Sequence, residues 1–146
     1  MNLVLVGLDG SSREPLVLAT SIAMARAFGG RLHFLRSVSL PPPEVPMHVY
    51  AMAAEPLADA LLGDARRAVE ESIKDIPKDL VHGTSVVLGV PWDTICRLAE
   101  DLHVDLVIIG SHGYSGLDRI LGTTASKVVN HLKRSVLVVR PKPDKD

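Results

Sequence analysis

Residues 110 to 124 gather glycines and hydroxyl side chains: Gly110-Ser111-His112-Gly113-Tyr114-Ser115-Gly116, then Leu117 to Leu121, then Gly122-Thr123-Thr124. A phosphate is held best by backbone amides with no Cβ in the way, by hydroxyl donors, and by the positive end of a helix. Glycines at 110, 113 and 122, with hydroxyls at 111, 123 and 124, offer that combination. Three hydrogen bonds to a charged group give roughly 5–9 kcal/mol gross, and micromolar affinity needs about 8 kcal/mol. Phosphate contacts alone are therefore marginal, and a base or ribose pocket has to contribute. The same glycines also suit a plain turn from strand to helix, and spacing alone leaves the two readings evenly matched.

The two better-known phosphate motifs are absent: there is no G-x-x-x-x-G-K-[ST], and no G-x-G-x-x-G follows the first apolar run. A Walker-type NTPase and a dinucleotide dehydrogenase are thus disfavoured. No activated nucleophile or base–orienter pair can be assigned, so no residue is given a catalytic role. His112 reads as a loop residue. His33, His48, His82, His103 and His131 show no metal-ligand spacing and read as structural or surface groups. Cys96, the single cysteine, excludes an internal disulfide and reads as a small, semi-buried side chain. Trp92 reads as a packing residue. Asp9, in Asp9-Gly10-Ser11-Ser12, suits either a turn or a ligand contact.

The elements that must position these residues alternate strictly. Leu3 to Leu8 is a continuous apolar run of strand length. A capping box from Ser11 to Glu14 starts a helix that Gly29-Gly30 ends, with Leu18, Ile22 and Ala25 inward. Arg31 to Val38 is a second strand, less apolar and so nearer an edge. Ser39 to Ala53, with four prolines, reads as a surface loop, and Pro56 opens a long helix that Pro77 closes. Strands follow at Thr84 to Leu88, Asp105 to Ile109 and Ser135 to Arg140. Helices follow at Pro91 to Leu102 and at Thr123 to Leu132, the latter with Ala125, Val128, Val129 and Leu132 inward. This β-α-β-α-β-α-β-α-β order predicts one α/β domain over residues 1–146, with a doubly wound parallel sheet and a flexible charged tail over 141–146. The first and fourth strands, the most apolar, should be central neighbours, which puts Asp9 and Gly110 at the lip of the crevice where strand order reverses.

The segment VDLVIIGSHGYSGLDRILGTTASKVVNHLKRSVLVVRP, Val104 to Pro141, resembles the C-terminal signature of universal stress proteins. LVLVGLDGSSREPLVLATSIAMA, Leu3 to Ala25, and LGVPWDTICRLAEDLHVDLVIIG, Leu88 to Gly110, are similar to the same family's opening and its third helix with fourth strand. The resemblance implies a Rossmann-like, adenine nucleotide alpha hydrolase-like sheet in the order 3-2-1-4-5, with helices on both faces. The family's ATP-binding branch carries G-x2-G-x9-G-[ST]. Here Gly113 and Gly122 are separated by eight residues, Tyr114 to Leu121, with both glycine ends and the hydroxyls intact.

By that resemblance the ligand is ATP or AMP, with Mg2+ accompanying the nucleotide. Gly110, Gly113, Gly122, Thr123 and Thr124 would cradle the phosphates, with Ser111 and His112 beside them. Leu8 would be among the nucleotide-binding residues, Asp9 would meet the ribose or a metal, Val38 would line the adenine pocket, and the backbone around Gly89 and Val90 would close its far side. Arg119 is the nearest flexible cation. The apolar edge strand Ser135 to Arg140 would pair with its counterpart in a homodimer.

Composition narrows the alternatives. The chain has 146 residues, a net charge of −1, 47% hydrophobic residues and only 3% aromatics, so its core is aliphatic and it lacks the concentrated basic surface that nucleic acid requires. No apolar run approaches the length of a membrane span, and the opening MNLVLVGLDG has no basic n-region, so a cytoplasmic protein is expected. Three functions compete: a stress-response dimer that binds ATP or AMP, a slow ATPase or phosphoryl-transfer enzyme, and a dimeric interaction module that ignores nucleotides.

Overall fold

The computed structural model describes residues 2–111 and 121–142. It contains β1 (Leu3–Leu8), α1 (Glu14–Phe28), β2 (Arg31–Val38), α2 (Met47–Ile73), β3 (Val81–Leu88), α3 (Pro91–Asp101), β4 (Leu106–Gly110), α4 (Thr123–His131) and β5 (Ser135–Val139). A short 3-10 turn, Lys78–Leu80, leads into β3. The strands form one parallel sheet in the order β3-β2-β1-β4-β5.

Strand side chains alternate faces, so the aliphatic runs feed two cores. Val4, Val6, Phe34 and Ile108 pack under α1 and α2 through Val17, Ala25 and Val69. Leu5, Leu35, Val107 and Ile109 pack under α3 and α4 through Ile95, Ala99, Ala125 and Val128. β1 and β4 are adjacent and central, as their continuous apolar runs predict. At the amino ends of these two strands the Asp105 carboxylate accepts the Asn2 and Leu3 amides at 2.7 and 3.0 Å.

β2 lies next to the edge strand β3 and so nearer an edge than β1, as its lower apolarity predicts, with Leu32 to Leu35 buried. Three expectations need correction. β3 starts at Val81, three residues before Thr84. α2 starts at Met47, so the second half of the expected loop is helical and Pro56 lies inside the helix. Pro56 had suggested a start because proline suits a helix's first turn; the helix instead tolerates the hydrogen bond that proline removes. In α4, Val129 is exposed while Ala125 and Val128 are buried, because the short helix buries only a narrow stripe.

The start of α1 also departs from a simple capping box. Glu14 is the first helical residue and Arg13 takes the N-cap position without a side-chain cap bond. The Ser11 hydroxyl instead receives the Arg13 amide at 3.3 Å, and Glu14 accepts the amide of Gly10 at 2.8 Å.

Candidate functional site

The carboxyl ends of β1 and β4 splay helices to opposite faces of the sheet, and a cleft of about 210 Å³ opens there. Leu8, Asp9, Gly110 and Thr124, named above from sequence alone, all line it. They come from β1, the turn after it, the end of β4 and the first turn of α4. The remaining walls are apolar on the α3 side (Pro91, Ile95) and from the sheet (Leu35, Ile109).

Gly7 forms part of the floor. A Cβ there would lie 3.0 Å from Ile109 Cγ2 and 3.5 Å from Ile95 Cδ1, so any side chain crowds the cleft. A glycine inside an otherwise aliphatic strand is the signal that could have found this residue, since it marks a close approach.

The turn after β1 is braced from below. Asp9 Oδ1 accepts the Ser11 amide at 2.9 Å, which closes an Asx turn. Gly10 has φ 71°, the left-handed region that favours glycine. Its amide donates to Glu14 Oε2 at 2.8 Å, while Glu14 Oε1 accepts the Ser72 hydroxyl of α2 at 2.5 Å. The Arg36 guanidinium packs over Gly10, where a Cβ would overlap it. Arg36 lines the cleft as well, and sequence reasoning missed it. It stands at the carboxyl end of β2 opposite Leu8, a register that only the sheet reveals.

A second brace joins β2 to α3. Ser37 Oγ donates to the Gly89 carbonyl at 2.9 Å, and the Thr94 hydroxyl lies 3.0 Å from Ser37 Oγ and 3.0 Å from the Pro91 carbonyl. Ser37 also lines the cleft. Gly89 is required here, because a Cβ would come within 2.6 Å of Thr94 Cγ2.

Val38, Gly89 and Val90 do not line the cleft themselves. The Gly89 amide donates to the Val38 carbonyl at 3.0 Å, so these backbone groups are already partnered. Ser111 is buried and its amide donates to the Val139 carbonyl at 3.0 Å, which continues the β4–β5 ladder and removes that amide from a ligand. Gly122 is the N-cap of α4 with φ −59° and, having no side chain, cannot cap the helix itself. The first amides of α4, at Thr123 and Thr124, have no acceptor within the helix. His112, Gly113 and Arg119 lie outside the described residues.

The cleft thus offers apolar walls, the Asp9 carboxylate and the amino end of a helix, groups that suit a flat ring, a hydroxyl or cation, and an anion respectively. Among the described residues no group of three or more His, Cys, Asp or Glu side chains converges.

The chain matches the Universal stress protein family over residues 1–140. It belongs to that family. Among similar proteins, Universal stress protein A homolog 1 of Coxiella burnetii is 34% identical over 86 residues, 57% of each chain. Universal stress protein MJ0577 of Methanocaldococcus jannaschii is 33% identical over 93 residues, 59% of this chain and 54% of the relative. These matches span little more than half the length of either relative. The solved structure of MJ0577 superposes with a TM-score of 0.81 at 25% identity, covering 98% of both chains. UspA from Lactobacillus plantarum gives 0.80 at 24% identity, covering 95% of this chain and 97% of that one. A universal stress protein solved in complex with cAMP shares the fold at a TM-score of 0.58 and 20% identity, covering 95% and 96%. The sheet order 3-2-1-4-5 and the helices on both faces are thus those of universal stress proteins. No helix among the described residues is long and apolar enough to cross a membrane.

Proposed function

We propose that this universal stress protein domain binds an adenine nucleotide, ATP or AMP, as a stress-response regulator rather than as an efficient enzyme. The observation that carries the reading is the convergence of Asp9, Gly110 and Thr124 on one cleft at the amino end of α4. At about 210 Å³ the cleft is smaller than typical small-molecule sites. It takes the base and ribose, and the phosphates lie over the α4 start and the Gly110–Thr124 segment. The cAMP complex of a protein with this fold supports an adenine ligand.

The chain's own residues then divide the work. Leu35, Pro91 and Ile95 exclude water from one face of the base. Asp9 accepts hydroxyl protons of the ribose, or holds Mg2+ that neutralises phosphate charge. Thr123 and Thr124 donate amides and hydroxyls to phosphate oxygens. The second part of the proposal is a homodimer through β5: this strand is the sheet edge after β4, and Val136, Leu137 and Val138 are only half-buried.

The test is mass spectrometry of ligand released when the gently purified protein is denatured. ATP, ADP or AMP at close to one per chain supports the reading. A protein that releases no nucleotide, and gains none when incubated with ATP, refutes it.

A further inference from the structure

A second cluster lies at the opposite, amino end of β2 and β3. His33 is buried, and its Nδ1 lies 3.0 Å from Nδ1 of His82. Its other ring nitrogen, Nε2, is 2.8 Å from the Ser85 hydroxyl. The β2–β3 register shifts between Leu32 and His33, so that Leu32 pairs with Val81 and His33 with Gly83. This bulge leaves His82 as the extra residue. A regular strand would send His82 to the face opposite Gly83 and His33; the bulge re-aims it onto the His33 ring, as bulges do beside functional groups. Gly83 leaves room for that ring, because a Cβ would lie 3.3 Å from His33 Cε1 and Nδ1.

We propose that His33 and His82 form a site for a borderline divalent cation, of the Zn2+ and Cu2+ class, bound through their two Nδ1 atoms. Neutral imidazole is the ligating form. A ligating histidine needs its second nitrogen held by an outer partner that fixes the ring, and Ser85 supplies it. The two Nδ1 atoms meet head-on, with ring centroids 5.2 Å apart. A shared cation with Zn–N bonds of about 2.0–2.1 Å at a tetrahedral angle therefore needs one ring to swing aside. His82 is exposed and can make that turn while Ser85 holds His33.

Without metal, one proton lies between the two Nδ1 atoms. On binding, the cation replaces it and the proton moves to Nε2 of the same ring, so the pair stays neutral and no proton need be released. The described residues supply two ligands, and water completes the shell.

The test is a Zn2+ titration of the full chain, in competition with a chromophoric chelator, while imidazole 15N resonances are followed by NMR. One Zn2+ per chain should bind with shifts at Nδ1 of both rings. His82→Asn, an exposed change that leaves the core intact, should weaken binding at least about tenfold, and Ser85→Ala should weaken it also. His48→Gln, remote from the pair, should leave it unchanged. Zn2+ affinity unaltered in His82→Asn, or shifts confined to other histidines, would overturn the proposal.

Discussion

Glu14 holds the amide of Gly10 at 2.8 Å with one carboxylate oxygen while the other receives the hydroxyl of Ser72 at 2.5 Å. A residue expected to cap its own helix thereby fixes the turn that presents Asp9 to the cleft and ties that turn to α2. Replacing Glu14 with Ala removes both acceptors. Urea unfolding should show a loss of about 1–3 kcal/mol. Nucleotide affinity should fall by more than Ser72→Ala causes, because Ser72→Ala leaves the Gly10 contact in place.

Gly7→Val tests the cleft floor. The added side chain starts 3.0 Å from Ile109 Cγ2, so overpacking should cost about 1–3 kcal/mol in chemical denaturation. A folded variant should also lose adenine nucleotide binding, because the side chain enters the space between Ile109 and Ile95. Retention of wild-type affinity would show that the base lies elsewhere.

Pro56→Ala separates two accounts of α2. If proline opened the helix, alanine there would be neutral or mildly destabilising. With Pro56 inside a helix from Met47 to Ile73, alanine restores an amide hydrogen bond and should stabilise by about 1–3 kcal/mol. Thermal melts and far-ultraviolet circular dichroism check both stability and helicity.

These cases show what the sequence carried. Aliphatic runs such as Leu3–Leu8 and Leu106–Ile109 have one stable use, as covered central strands, so the sheet was legible. Asp9, Gly110 and Thr124 were legible because chain order alone puts strand ends and helix starts at one edge. Arg36, Ser37 and the His33–His82 pair were not, since their roles depend on cross-strand register and a bulge, neither of which has a local sequence signal. The N-terminal half of α2 was hidden by Pro56, by the prolines just before Met47 and by the lack of buried residues before Ala58.

His33 gives the fold a pH dependence. Its pKa is lowered in the folded state by burial and by His82, so below its ordinary value of 6.5 the unfolded chain binds protons that the folded chain refuses. Stability is therefore full above about pH 6.5 and declines as pH falls from there toward the folded pKa. Denaturation midpoints measured across that window should fall, and His82→Asn should flatten the slope by removing the neighbouring charge.

Nucleotide binding can be read directly by calorimetric titration of the full chain with ATP and with AMP. Saturable binding at one nucleotide per chain, weakened in Thr124→Val and Asp9→Ala, is the predicted result. No heat of binding for either nucleotide up to about 1 mM, where affinity is worth only about 4 kcal/mol, would contradict it.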